Sequence, residues 1–271
     1  MNYTKKFSLV GKNAIVTGGA GILGRHFCFG LAEAGAQVAV VDINKEASQQ
    51  VVDQIIERGG KATRFYCNLT SEQSVISMVD SVRSEFGSID ILHNNAAGKS
   101  NDLNAFFAPF EEYELNQWNQ IMSTDLDSMF LVAKHVGKVM KEQGQGGSIM
   151  QTSSIYGIMG PDNRIYEGSY YLERGINTPA IYSAAKAGVI GLTRYLATYW
   201  AKDNIRVNTI TPGGVESGQN DVFKEKYSNR IPLGRMAQPE EMVGALIFLA
   251  SDASSYITGQ NIIIDGGLNA W

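Results

Sequence analysis

Tyr182 and Lys186 stand four residues apart in the stretch AIYSAAKAG (180–188). Four residues is about one turn of an α-helix, so both side chains leave the same face, one above the other. A free tyrosine ionises only near pH ~10 and is a poor base at neutral pH. An ammonium about 4–6 Å away stabilises the phenolate by about 3–4 kcal/mol at an effective dielectric near ~20, which is about two to three pKa units. A phenol tuned in this way can take the proton of a hydroxyl while hydride leaves the carbon that bears it. Ser154 ends the apolar run GSIMQTSS (147–154). That run reads as a strand, and open α/β sheets bind ligands beyond the carboxyl ends of their strands. A hydroxyl there can steady a developing carbonyl oxygen. Taken alone, the pair is equally compatible with a surface phenol and a solvated ammonium.

Such a site needs elements to hold it, and they alternate along the chain. Apolar runs at 13–19, 36–42, 61–68, 89–97, 147–154, 205–214 and 260–267 read as strands. Helical spacing is read at 22–35, 46–60, 71–87, about 114–142, 181–201 and 239–251. Gly35 suits a helix stop, and Ser71 and Ser74 both suit the start of the third helix. Strands apolar on both faces, separated by helices, predict a parallel sheet covered on each side. The expected fold is a single doubly wound, Rossmann-type α/β domain over 1–271 with seven parallel strands. Residues 155–180 fit no regular element, and a connection of that length predicts a binding loop or lid.

The first strand runs into TGGAGILG (17–24), which opens the first helix. Glycines at that turn let the backbone approach a pyrophosphate, and the helix terminus offers N–H groups. Asp42 ends the second strand, 18 residues beyond Gly24. A carboxylate there accepts hydrogen bonds from the adenosine ribose and repels a 2′-phosphate. No Arg or Lys stands at 17–24 or 43–44, so NAD is expected rather than NADP. Asp42 could also cap the helix that follows, and the two roles are compatible.

Bulk composition narrows the partners. The 271 residues carry a net charge of −4, with 44% hydrophobic and 18% charged residues. Nothing there suggests nucleic acid or an anionic membrane surface. No apolar run approaches the ~18 residues of a membrane span, and MNYTKKFSLVGKN (1–13) lacks the apolar core of a signal peptide. Cys28 and Cys67 form no CxxC pair, and His26, His93 and His135 share no metal-ligand spacing. Buried free thiols, no metal and a cytoplasmic location are expected.

Six motifs in fixed order resemble the short-chain dehydrogenase/reductase family over about 8–267. They are TGGAGILG (17–24), NNAAG (94–98), SS (153–154), YSAAK (182–186), RVNTITPGGV (206–215) and YITGQNIIIDGG (256–267). The resemblance implies Ser154, Tyr182 and Lys186 as catalytic residues, with Lys186 also holding the nicotinamide ribose. Through it, Gly18, Gly21, Ile22, Leu23, Asp42 and Ile43 become cofactor residues at the phosphates and ribose. Asn68 and Leu69 are implied at the adenine, and Asn95, Ala96, Ala97 and Gly98 beneath the cofactor. Pro212, Gly213, Val215 and Ser217 are implied to close over the nicotinamide. The last helix and strand (239–264) resemble those through which the family forms homodimers and homotetramers.

Two departures stand out. The glycine spacing is TGxxGxxG, as in the extended branch of the family, rather than the TGxxxGxG of its classical members. The catalytic Asn, seven residues after a Trp, is replaced by Asp125 after Trp118. A carboxylate there would favour the Lys186 ammonium, oppose the phenolate and retune the proton relay, unless it points elsewhere.

Between Ser154 and Tyr182 lie 27 residues, more than in the classical members. They include Tyr156, Asp162, Arg164, Tyr166, Glu167, Tyr170, Tyr171, Glu173 and Arg174. This polar, aromatic insert, together with the loop 98–115, suits a sugar, sugar acid, polyol or nucleotide sugar. Ser154, Tyr156, Arg164 and Tyr182 are the expected substrate contacts, although the insert could instead build an oligomer contact. The expected activity interconverts a secondary alcohol and a ketone. A 3-oxoacyl-thioester reductase is the alternative, against which Asp42 speaks. A non-catalytic NAD-binding regulator is the alternative from another class, favoured only by Asp125.

Overall fold

The runs rich in Val and Ile form strands because branched side chains pack well on a pleated surface. In the computed structural model, which describes residues 2–98, 100, 102–171 and 174–271, they form one sheet. Its strands are β1 (Asn13–Thr17), β2 (Gln37–Asp42), β3 (Lys61–Tyr66), β4 (Ile91–Asn94), β5 (Gly147–Thr152), β6 (Ile205–Pro212) and β7 (Asn261–Ile264). The order is β3-β2-β1-β4-β5-β6-β7, and every pairing is parallel. The order reverses between β1 and β4. That switch point opens a crevice above the carboxyl ends of both strands.

Helices α1 (Ile22–Glu33), α2 (Lys45–Glu57) and α8 (Val243–Ala250) cover one face. The other is covered by α3 (Glu72–Phe86), α5 (Ser128–Gln143) and α6 (Ala180–Tyr199). Alternate residues of one strand serve the two cores: Ala14 and Val16 pack with α1, Ile15 with α3 and α5. The strands therefore read as unbroken apolar runs. Gly35, at φ +106°, follows the end of α1. Of the two candidate serines, Ser71 caps α3, accepting from the Ser74 N–H. The cap of α2 is Asn44 and not Asp42.

Three expectations change. The helix predicted over about 114–142 is α4 (Leu115–Met122) joined to α5 by a π-helical turn, Ser123–Asp127. The segment 155–180 is not irregular. It carries turns at Ile155–Gly157 and Asn163–Tyr166 and a small antiparallel ladder of Tyr170–Tyr171 with Arg174–Gly175. Its Ile155 and Ile165 pack with Phe223, Tyr227, Ile231, Met236 and Leu268 in a separate small core. Phe223 and Tyr227 belong to α7 (Asp221–Ser228), a helix with no counterpart in the sequence prediction. Glu173 lies outside the described residues.

No described helix is long and apolar enough to cross a membrane. Among the described residues, no cluster of His, Cys, Asp and Glu could hold a metal ion. Cys28 and Cys67 are free and buried.

Candidate active site

Two cavities meet above the switch point. The larger, about 530 Å³, runs across the carboxyl ends of β1, β2, β4, β5 and β6. Its far end is the glycine turn. Gly18 lies at φ +63°, where side chains are strained. A Cβ on Gly24 would come within 1.9 Å of the Gly18 carbonyl oxygen, so helix and turn touch backbone to backbone. Neither partner can swing away. Gly24→Ala is therefore expected to lower stability by about 1–3 kcal/mol and to weaken NADH binding. Thermal unfolding and a fluorescence titration measure both, and wild-type values in each would show that the turn opens freely.

Asp42 lines the same end, and its two oxygens tie the turn to α2. One accepts the Ala20 N–H at 3.0 Å, the other the Asn44 N–H at 2.9 Å. Gly21, Ile22, Leu23 and Ile43 line the wall beside it, followed by Asn68 and Leu69. The Asn68 side-chain oxygen accepts from the Thr70 backbone and hydroxyl, which turns this loop back on itself. Asn95, Ala96, Ala97 and Gly98 form the floor. Asn95 is fixed there by its N–H and amide group, which donate to the Thr17 hydroxyl and carbonyl. Pro212, Gly213, Val215 and Ser217 form the near rim. All the residues expected to hold the cofactor thus line one groove. Cys67, Thr70, Thr124 and Ser128, which the sequence did not single out, line it too. A deep groove with a glycine-rich turn at one end and the Asp42 carboxylate beside it fits a nicotinamide dinucleotide.

Ser154, Tyr182 and Lys186 stand where this groove ends. Tyr182 also lines the second cavity, as do Gly98 and Ser217, so the phenol is shared between the two. Lys186 is buried, with Nζ 5.8 Å from the Tyr182 ring centre and donating to the Thr152 carbonyl at 3.3 Å. The expected lowering of the phenol is reversed. Burial lifts Tyr182 above the ordinary tyrosine range, the Ser154 hydroxyl pulls it down, and Asp125 and Tyr166 push it up. Burial lowers Lys186, and Asp125 opposes that.

Asp125 is fully buried at the π turn. Its Oδ1 accepts the Gly98 N–H at 2.9 Å, and its Oδ2 has no partner. Burial raises its carboxyl, against the pull of Lys186 and the Gly98 bond. The carboxylate therefore does not point elsewhere: it bridges the π turn to the groove floor and acts on both Lys186 and Tyr182.

A buried string supports the floor from below. The Thr152 hydroxyl donates to Asn95 Oδ1 at 3.1 Å and pairs with His93 Nε2 at 2.9 Å, so His93 carries its proton on Nε2. Burial pushes His93 down to about 3, leaving it neutral.

Two expected substrate contacts fall elsewhere. Arg164 is 83% exposed and forms a two-pronged pair with Asp162. Tyr156 sits in the small third core, where its hydroxyl accepts from Tyr166. Neither lines either cavity. The insert's contribution is instead Tyr166, Tyr170 and the 176–179 stretch, which line the second cavity with Phe106, Phe107 and Phe223.

Comparison with known proteins agrees with this architecture. The family model described as short chain dehydrogenase matches residues 12–228. The D-threitol dehydrogenase of Mycolicibacterium smegmatis is 35% identical over 96% of this chain and 94% of its own. The 3-oxoacyl-(acyl-carrier-protein) reductase of Thermotoga maritima is 36% identical over 96% and 98%. A gluconate 5-dehydrogenase from Burkholderia cenocepacia, solved with NADP and tartrate, superposes with a TM-score of 0.87 at 30% identity, covering 100% of both chains. The chain, with its seven-stranded parallel sheet and a Tyr–Lys pair at the mouth of a dinucleotide groove, belongs to the short-chain dehydrogenase/reductase family of oxidoreductases.

Proposed function

We propose that the protein is an NAD-dependent dehydrogenase that interconverts a secondary alcohol and a ketone on a small carbohydrate-like molecule. The observation that carries this reading is the shared position of Tyr182, between a dinucleotide-sized groove and a separate chamber. Bound nicotinamide dinucleotide supplies the hydride acceptor or donor. The chain does the rest. Ser154 and Tyr182 hold the reacting oxygen, and Tyr182 takes or returns its proton. Lys186 favours the phenolate through its charge and anchors at the Thr152 carbonyl. Asp42 accepts the ribose hydroxyls, and Asn95 to Gly98 support the floor.

NAD is preferred in this reading because of Asp42. Like charges about 5 Å apart repel by about 1–3 kcal/mol at effective dielectrics of ~80 down to ~20. Asp42→Ala is therefore expected to raise kcat/KM for NADP+ relative to NAD+ about tenfold. A wild-type enzyme that works only with NADP+ would overturn the preference.

The reading is tested by absorbance of reduced cofactor, with NAD+ and a panel of polyols, sugar acids, sugar phosphates and 3-hydroxyacyl thioesters. NADH formed from a carbohydrate, and lost in Tyr182→Phe, supports it. The likeness to a 3-oxoacyl reductase favours thioester reduction as a second reading, which turnover of the thioester alone would establish. The reading also includes a cytoplasmic homodimer or homotetramer joined through α8 and β7, where Ile263 is partly exposed.

A further inference from the structure

We propose that His93 is a positioning residue for the cofactor: through the Thr152 hydroxyl it fixes the Asn95 side chain and with it the floor of the dinucleotide groove. The inference rests on the oxidoreductase reading and adds a residue to it. Thr152 and Asn95 line the groove, and His93 is fully buried behind them. It lies on β4 between Val16 of β1 and Met150 of β5, with the Phe27 ring of α1 4.2 Å away between ring centres. These neighbours are apolar. Burial pushes the ring down to about 3, so it stays neutral and is a poor acid or base for the reaction. A polar ring in such a place costs stability, and its Nδ1 has no partner among the described residues. What the site gains is one fixed N–H.

The polarity of the string follows from its far end. Asn95 Nδ2 donates to the Thr17 carbonyl at 3.2 Å, and a carbonyl can only accept. That fixes the amide, so Oδ1 takes the Thr152 proton at 3.1 Å. The lone pairs of the Thr152 oxygen are left for a donor, which His93 Nε2 supplies at 2.9 Å. A threonine hydroxyl on its own rotates to suit its surroundings. A donor on one side and an acceptor on the other leave it a single orientation. With the imidazole proton on Nδ1 instead, Nε2 would compete with Asn95 for the Thr152 proton.

Thr152 is where this string meets the catalytic residues. Its carbonyl accepts from Lys186 Nζ at 3.3 Å, and the next residue, Ser153, donates from its hydroxyl to the Lys186 carbonyl at 2.7 Å. The two tasks of Thr152 use different groups: the backbone carbonyl holds Lys186, and the side-chain hydroxyl holds the floor. The main chain of the floor has an anchor of its own, because the Asn95 and Ala96 N–H groups both donate to the Thr17 hydroxyl. The His93–Thr152 pair therefore governs the Asn95 side chain, and through it cofactor affinity more than proton transfer.

The test combines fluorescence titration with NADH, thermal unfolding and turnover with NAD+ in His93→Leu, Thr152→Val, Thr152→Ser and the double variant His93→Leu with Thr152→Val. Thr152→Val removes the hydroxyl and keeps the carbonyl that holds Lys186. It and His93→Leu are each expected to weaken NADH about 2–10-fold, the worth of one neutral hydrogen bond, with a smaller change in kcat. Because His93 acts through Thr152, the double variant is expected to bind NADH no more weakly than Thr152→Val alone. Thr152→Ser keeps the hydroxyl and is expected to restore most of the affinity. A leucine suits the apolar neighbours, so the Tm of His93→Leu is expected at or above the wild-type value while its affinity falls, a split that a merely structural histidine would not show. In nitrogen NMR of the histidine-labelled wild-type protein, His93 is expected to carry its proton on Nε2. A proton on Nδ1 overturns the proposal whether or not the variants fold. So does wild-type affinity in Thr152→Val, an equal loss in Thr152→Ser, additive losses in the double variant, or a fall in Tm with unchanged affinity in His93→Leu. A wild-type protein that binds no NADH and oxidises no alcohol would instead sink the oxidoreductase reading, and the proposal with it.

Discussion

Tyr182→Phe is expected to lower kcat about 10²–10⁴-fold while leaving NADH affinity and thermal stability close to wild type. The variant removes one hydroxyl at the junction of groove and chamber and keeps the ring that walls both. Binding surface is preserved and proton transfer is lost, so the loss belongs in kcat and not in cofactor affinity. The direction of the phenol's shift adds a pH dependence. Burial holds Tyr182 above the ordinary tyrosine range, so it is protonated through neutral pH in the protein alone. A protonated phenol can give a proton to a carbonyl but cannot take one from an alcohol. Ketone reduction is thus expected to be favoured at neutral pH and to fall as the phenol ionises. Alcohol oxidation is expected to rise over the same alkaline range. Rates in both directions from pH ~6 to beyond the ordinary tyrosine range, at about pH 11, check the sign. Retention of a tenth or more of wild-type kcat in Tyr182→Phe would remove the phenol from the proton path.

The dinucleotide groove was legible in the sequence because local order dictates it. Apart from Thr124, Ser128, Tyr182 and Lys186, its residues sit at the carboxyl end of a strand or in the turn and first helical residues just after one, and a parallel sheet gathers all such ends on one edge. Gly18 and Gly24 sit where only glycine fits, and a motif can report that. The chamber was less legible for the opposite reason. Its walls come from five separated segments, around 98, 106–107, 166–179, 182 and 217–223, that no period or spacing links.

Arg164 and Tyr156 show where connectivity misleads. Both lie in the insert beside Ser154, but Asp162 draws one outward, and the third core takes the other. That core depends on contacts such as Ile165 with Phe223, nearly sixty residues apart, and it organises a segment that reads as irregular. The helix α7 was missed because only Phe223 and Tyr227 of its eight residues are buried, too few to mark an apolar face. The Tyr–Lys pair was legible in place but not in energy. Four-residue spacing implies proximity, yet Lys186 donates to the Thr152 carbonyl, and burial is the largest influence on the phenol, raising it.

Asp125 is where sequence and structure together make the sharpest demand. Spacing alone could not say whether its carboxylate turns inward. The π turn answers this, because it places Oδ1 on the Gly98 N–H at the groove floor. Asp125→Ala removes a charge-assisted acceptor from a buried N–H and is expected to cost about 1.5–3 kcal/mol, or a fall in Tm of about 3–12 °C for a domain of this size. Asp125→Asn keeps an acceptor for Gly98 and removes only the charge. Its effect is therefore expected in the pH profile. The carboxylate raises both Tyr182 and Lys186, so neutralising it lets both fall. A lower phenol moves the rising limb of alcohol oxidation toward acid. A lower lysine removes the ammonium at a less alkaline pH and pulls in the upper limb. Both shifts carry the profile the same way, so the optimum of Asp125→Asn should lie at lower pH than that of the wild type. Profiles that coincide at every pH would show that the carboxyl carries no charge where it matters, and that Asp125 serves only as the acceptor for Gly98.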